Sequence, residues 1–232
     1  MDSNAILFFS YSIIFWILSY LIIRKSKSPA NILFSSSTFF YGVGTLFSGL
    51  GWGFFATTDQ GLKIFNYLIV INQLTFFALA ASFIVIALLG IFYSGRSILY
   101  GASGYRDELA LTLLIVFIVI DLFNFIIYSS LSLKENFMFE DVLTLFILLL
   151  SVIVYFTLYR QIVEYRLNFI FILIGFVIGV ISLLISTSLF ILNYNSAAEI
   201  IRSMGPFFAV FVVLISFTSL PQSFRERNIT KT

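Results

Sequence analysis

Seven long apolar runs, each bounded by charged or turn-forming residues, set the limits on this chain: about 5–23, 30–55, 64–93, 109–128, 142–159, 167–193 and 205–222. A helix of about 20 apolar residues crosses a bilayer core about 30 Å thick. Helices also satisfy their backbone hydrogen bonds internally, as lipid requires. The runs therefore predict an all-α fold, a polytopic transmembrane helix bundle of about seven spans, with residues 1–232 forming a single domain. The breaks are Arg24 to Pro29, Thr57 to Gln60, Gly95 to Glu108, Ser129 to Asp141, Arg160 to Arg166 and Asn193 to Gly205, all too short to hold a soluble domain. Composition agrees: 60% of residues are hydrophobic and 10% charged, against about 25% charged in soluble domains.

Basic residues set the expected orientation, because loops rich in Lys and Arg stay cytoplasmic. One side of the seven-span scheme takes ten of them: Arg24, Lys25, Lys27, Arg96, Arg106, Arg160, Arg166, Arg225, Arg227 and Lys231. The other takes three, Lys63, Lys134 and Arg202. The N-terminus is thus expected outside and the C-terminus in the cytoplasm. The first span carries its positive charges after it, which marks an anchor helix and not a cleaved signal peptide. The Asn228-Ile229-Thr230 sequon falls on the cytoplasmic side in this scheme and is expected to carry no glycan.

The chain has no Cys and no His. Disulfides, thiol catalysis, Cys-held zinc or iron–sulfur centres, His-held haem and His-based triads cannot be built from it alone. No cofactor is expected, and in a redox complex other subunits would hold the cofactors. The scattered basic residues form no continuous patch, so no nucleic-acid partner is expected.

Lipid gives helices no hydrophobic reason to associate, so close backbone approach and polar contacts must do it. The second run supplies Gly44 with Ser48, Thr45 with Gly49, and Gly49 with Gly53; the sixth supplies Gly175 and Gly179. Packing within one bundle is favoured over dimerisation. Arg160 and Glu164, spaced i,i+4, are read as a solvated pair at a helix end.

Asp121 is the acid that lies inside an apolar run, the fourth. Asn124 and Tyr128 follow on the same helix face. A carboxylate without a basic partner in lipid must neutralise, bind a cation or reach water. At 1.5 Å per residue Asp121 lies roughly 11 Å below the outer end of its span, and Asn72 and Gln73 count to a similar depth. Ser10, Ser12, Thr45, Ser48, Ser151 and Ser186 to Ser188 fall in the same outer half. Asp121, Asn124, Asn72, Gln73 and Tyr128 are therefore the candidate ligand- or ion-binding residues. The competing reading is interhelical hydrogen bonding, which is favoured for the serines and threonines because they readily bond their own helix backbone.

The turn from Tyr20 to Phe34, with Arg24, Lys25, Lys27, Pro29 and Asn31, resembles the corresponding turn in the N-terminal seven-helix sensor region of membrane histidine kinases. There a basic cluster and a small residue or Pro precede an aromatic-rich second helix. The chain runs only about ten residues past its last span, so the resemblance implies an input module without a kinase domain. A second pattern echoes Tyr20, Arg24, Asn31 and Gly42 in Tyr155, Arg160, Asn168 and Gly179. That spacing is similar to the parallel repeats of SWEET and PQ-loop sugar transporters. Those families place prolines within the spans, whereas Pro29, Pro206 and Pro221 read here as helix-end residues. Microbial rhodopsins share the topology, but the seventh span has no lysine for a retinal Schiff base.

The function expected from these features is a non-enzymatic, multi-pass membrane protein: a receptor-like or sensor-like module acting through a partner. The alternatives are an accessory subunit of a larger membrane complex, respiratory or redox in type, and a small-solute or proton-coupled carrier centred on Asp121. Membrane lipid and other membrane or cytoplasmic subunits are the expected partners.

Overall fold

The computed structural model describes residues 3–25, 28–54, 62–64, 67–69, 73–100 and 133–219. Among them are the helices α1 (Ser3–Lys25), α2 (Pro29–Phe54), α3 (Gln73–Tyr100), α4 (Leu133–Gln161), α5 (Arg166–Ile191) and α6 (Asn195–Thr218). A small antiparallel hairpin, β1 (Leu62–Ile64) with β2 (Tyr67–Ile69), pairs Lys63 with Leu68. Four stretches are long and apolar enough to cross a membrane by length and composition: Asn4–Lys25, Leu79–Leu99, Thr144–Gln161 and Val163–Leu189. The fourth run expected at 109–128 lies outside the described residues.

Local sequence accounts for the helix ends. Ser28 caps α2, its Oγ accepting the Asn31 N–H at 3.3 Å, and Pro29 takes the first helical position, where its missing N–H costs nothing. At the end of α5, Asn193 sits at φ 64°, a left-handed conformation that Asn tolerates, and the Tyr194 N–H closes back onto the Leu189 carbonyl at 2.9 Å.

Packing is sequential. The α1–α2, α2–α3 and α5–α6 seams are extensive, while α4 joins α3 to α5 along thinner ones. Glycines set the closest approaches. A side chain at Gly44 would meet the Ala80 carbonyl at 2.9 Å, and one at Gly175 would meet Val213 Cγ2 at 2.7 Å and the Ala209 carbonyl at 2.8 Å. The small residues of the second and sixth runs thus pack helices against each other within one bundle. Phe15, Phe34, Tyr155, Phe169 and Phe176 fill the core between them.

Polarity runs opposite to that of a water-soluble bundle. Buried polar side chains among the described residues are Ser, Thr and Asn, including Ser19, Asn31, Thr45, Ser94 and Ser151, and no charged side chain joins them. Large apolar residues line the exposed faces instead: Ile13 and Ile17 on α1; Val142, Phe146, Leu149, Ile153 and Phe156 on α4; Phe171, Ile174, Val177 and Ile181 on α5. The central helix α2, rich in Ser and Gly, is not among the stretches apolar enough to cross. Flanked by α1 and α3, it buries Ser35, Ser37, Thr38 and Thr45 against its neighbours and offers less surface to the surroundings.

Several expected boundaries are corrected. Residues 62–69, counted partly into the third span, form the hairpin, and α3 starts at Gln73. Gly95 does not end that helix; it lies within α3, and the Tyr155 ring packs where its side chain would be. α4 begins at Leu133, nine residues before the apolar run at 142, since charges such as Lys134 and Glu135 end a span but not a helix. α6 begins at Asn195, which places Pro206 in its interior and not at its end. Arg160 and Glu164 do not share a helix. α4 stops at Gln161, Ile162 is extended at φ −117° and ψ 94°, and Glu164 belongs to a 3-10 turn.

Candidate functional site

The predicted outer site falls largely outside the described residues. Asp121, Asn124, Tyr128 and Asn72 lie there, and of Gln73 the structure gives only its place as the first residue of α3. The hydroxyls expected near that layer are mostly bonded to their own helices. Ser10 donates to the Ile6 carbonyl, Ser151 to Ile147, Thr187 to Leu183 and Ser188 to Leu184. Ser12 and Thr45 do meet across α1 and α2, their hydroxyl oxygens 3.0 Å apart. Ser186 reaches the Ala198 carbonyl of α6 at 3.2 Å.

A second polar region lies at the opposite end of the bundle. α1 leaves it with Arg24 and Lys25, α4 with Arg160, α5 starts there with Arg166, and Arg96 lies in the last turns of α3. Ser19 and Ser35 donate to each other's carbonyl, both at 2.9 Å, clasping α1 to α2. Ser94 of α3 donates to the Ala30 carbonyl of α2 at 3.0 Å. Tyr155 of α4, fully buried, donates to the Ile91 carbonyl of α3 at 3.2 Å, with Ser94 beside its hydroxyl. Its ring also meets Phe169 and Phe176 of α5, at centroid distances of 6.5 and 5.3 Å. One residue of the bridging helix thus touches the structure on both sides of it.

At the same end of the bundle a groove lies between the start of α5 and the end of α6. It has a volume of about 350 Å³, within the roughly 300–1,000 Å³ of small-molecule clefts. Asn168 forms its polar end, donating to the Ser216 carbonyl at 3.3 Å and to Ser219 Oγ. Leu167, Phe171, Val212 and Ile215 form its apolar walls. On the α4 side of α5, the Arg166 guanidinium stands 5.6 Å from the centroid of the Tyr159 ring, a cation–π contact.

These groups are neutral donors and acceptors flanked by exposed cations. In the structure they fix helices against one another. Sequence reading singled out Tyr155 and Asn168 only as members of an internal echo, and Asn31 as a member of that echo and of the Tyr20 to Phe34 turn. The echo is partial in three dimensions, since Tyr155 is buried and hydrogen-bonded while its counterpart Tyr20 is 60% exposed. The available signal was a lone Tyr or Asn within an apolar run near the basic end. Comparison of the chain with protein families, with curated proteins and with solved structures finds no match.

Proposed function

We propose that the chain is a multi-pass integral membrane protein with seven spans, its N-terminus outside and its C-terminus in the cytoplasm. In this reading it is a non-enzymatic, receptor-like or sensor-like input module that acts through a partner protein. The observation that carries the membrane assignment is the inverted polarity: buried Ser and Thr against exposed Ile, Leu, Val and Phe. Such surfaces are stable in hydrocarbon and a liability in water. The gathering of Arg24, Lys25, Arg96, Arg160 and Arg166 at one end supports the orientation.

The input role is supported by the uneven seams. Extensively packed groups, α1–α3 and α5–α6, are joined through α4 along thinner contacts, so a ligand favouring one arrangement of α4 shifts the whole bundle. Asp121 remains the proposed ionisable centre of the outer site.

The chain contains no Cys, so single-Cys variants can be labelled without background. A Cys at Thr232 is expected to resist an impermeant maleimide in intact cells and react after permeabilisation, and a Cys at Ser3 to react at once. The reverse pattern would invert the topology. For the input role, cross-linking and native purification are expected to recover a cytoplasmic or membrane partner, and Asp121→Asn to weaken signalling through it by tenfold or more while folding is retained. A stoichiometric set of redox subunits would point to the accessory-subunit reading instead. Unchanged signalling in folded Asp121→Asn would leave that residue a structural role.

A further inference from the structure

Resting on the membrane assignment above, we propose that the second half of α6, residues 206–218, is a lever latched to α5. It hinges at Gly205 and Pro206, is held closed by Asn168, and swings at the basic end of the bundle when that tie opens. Three independent features support this device: a weak point in α6, a tie at its far end, and a seam left unfilled beside the tie.

The weak point is chemical. Pro206 stands near the middle of α6, about 18 Å from its end at Thr218. It has no N–H to give the Arg202 carbonyl, and its ring crowds that carbonyl, so a rung of the helix ladder is missing there. Gly205 lacks the Cβ against which the following Pro ring would press. It also lies directly on α5, since a Cβ at this position would overlap Cβ and Oγ of Ser182. The supporting helix α5 contains no Pro. A weakened step that rests on an unbroken helix is a fulcrum.

Anchorage differs on the two sides of it. Before the step, the Tyr194 N–H bonds to the Leu189 carbonyl at 2.9 Å, and Ser186 reaches the carbonyl of fully buried Ala198 at 3.2 Å, which fixes the first half of α6 to α5. After it, Ala209 and Val213 meet Gly175 by van der Waals contact, to which lipid adds no hydrophobic drive. The far end is held by Asn168, which donates to the Ser216 carbonyl at 3.3 Å and to Ser219 Oγ. The last carbonyls of a helix have no donor of their own, so this amide caps α6 while tying it. Beside the tie lies the groove of about 350 Å³, lined by Leu167, Phe171, Val212 and Ile215, where packing does not fill the seam. A change of about 20° at a Pro step moves the end of an 18 Å lever by about 6 Å.

The test starts with alkaline carbonate extraction of membranes holding the full chain, after which retained protein is placed in lipid nanodiscs. The chain has no Cys, so nitroxide pairs can be introduced without background. Leu21→Cys with Thr218→Cys reports on the end of α6, and Leu21→Cys with Val163→Cys on the start of α5; Leu21 and Val163 are both exposed. Distances are read by double electron–electron resonance. Asn168→Ala should raise a second α6 distance, displaced by about 6 Å, and leave the α5 pair unchanged. Its population should grow about fivefold or more, the worth of two hydrogen bonds between membrane helices. Ser219→Ala, at an exposed position, should act in the same direction more weakly, and it carries the test if Asn168→Ala does not fold. Adding Pro206→Ala restores the missing N–H and should return the α6 pair to one distance.

An α6 distance unmoved by these latch variants would overturn the latch. A displacement that survives Pro206→Ala would overturn the hinge, and equal displacement of both pairs would mean that α5 and α6 move as one body. Each of these results leaves the membrane assignment standing. Release by carbonate would overturn that assignment and the lever with it.

Discussion

The three-helix group α1–α3 and the pair α5–α6 solve the same packing problem with different materials. In the first, side chains bond from helix to helix at several levels: Ser12 with Thr45, Ser19 with Ser35, and Ser94 with the Ala30 carbonyl. Rings add to these ties. Phe15 packs on Tyr41 at 4.6 Å, and Phe83 stacks between Phe40 and Phe47 at 6.0 and 5.5 Å. In the second, Gly175 and Gly179 let α6 come close, and Ser182, Thr187, Ser188 and Ser216 return their hydroxyls to their own helices. The polar cross-ties described for this pair sit at its two ends, Ser186 to Ala198 and Asn168 to Ser216. Directional bonds fix helix register along the first group. Close packing holds the second.

The largest effect is expected where the two groups are coupled. Tyr155 is fully buried between the Ile91 carbonyl on one side and Phe169 and Phe176 on the other. Tyr155→Ala removes a core ring and should cost about 3–5 kcal/mol in SDS-induced unfolding from mixed micelles. Tyr155→Phe keeps the ring, loses the hydrogen bond and should cost about 1 kcal/mol. If the two variants lose equal stability, the ring does not bridge the groups and the hydroxyl alone joins α4 to α3.

Next in size is Gly175→Ala. Its new methyl would lie 2.7 Å from Val213 Cγ2 and 2.8 Å from the Ala209 carbonyl, and a backbone oxygen cannot swing aside. The loss should be about 1–3 kcal/mol, the range for overpacked cores. Gly179→Ala meets Ala209 Cβ and Leu148 Cδ1 at 3.4 Å, ordinary contact, and should stay within about 0.5 kcal/mol of wild type. A Gly175→Ala variant as stable as Gly179→Ala would remove close approach as the device that holds α5 to α6.

These expectations rest on residues whose role the sequence disclosed unevenly. The Arg24 to Pro29 turn was legible because a basic cluster, a capping Ser and a Pro act locally, and α1 and α2 begin and end there as expected. Gly44 and Gly175 were legible as packing positions because small residues at helical spacing have few other uses in an apolar run. The start of α3 was not. Leu62, Ile64, Leu68 and Ile69 are as apolar as a span, and hydropathy alone cannot separate a short apolar strand from a helix. The early starts of α4 at Leu133 and α6 at Asn195 were hidden for a related reason: charge ends the membrane-compatible stretch while the helix runs on. The Asn168 groove needed the pairing of α5 with α6, two helices whose contacting residues lie 48 positions apart, and no local pattern reports that. The outer group around Asp121 was the reverse case, conspicuous in sequence as a charge where charge is costly.

The smallest effect tests the hydroxyl clasp of the first group most directly. Ser19 Oγ donates to the Ser35 carbonyl and Ser35 Oγ donates to the Ser19 carbonyl, each at 2.9 Å, while the two oxygens stand 3.1 Å apart. Each acceptor is backbone, so it survives when the opposite side chain is cut to Ala. Ser19→Ala and Ser35→Ala should therefore each cost about 0.6 kcal/mol, the average for hydrogen bonds between membrane helices. The double variant should cost their sum within about 0.5 kcal/mol, because neither deletion disables the other bond. Ser188→Ala in α5 should cost less than either, since its exposed hydroxyl returns to the Leu184 carbonyl of the same helix. Strong coupling between Ser19 and Ser35 would mean that the hydroxyls bond chiefly to each other, making the clasp one interaction. A Ser188→Ala loss equal to theirs would erase the difference between the two helix groups.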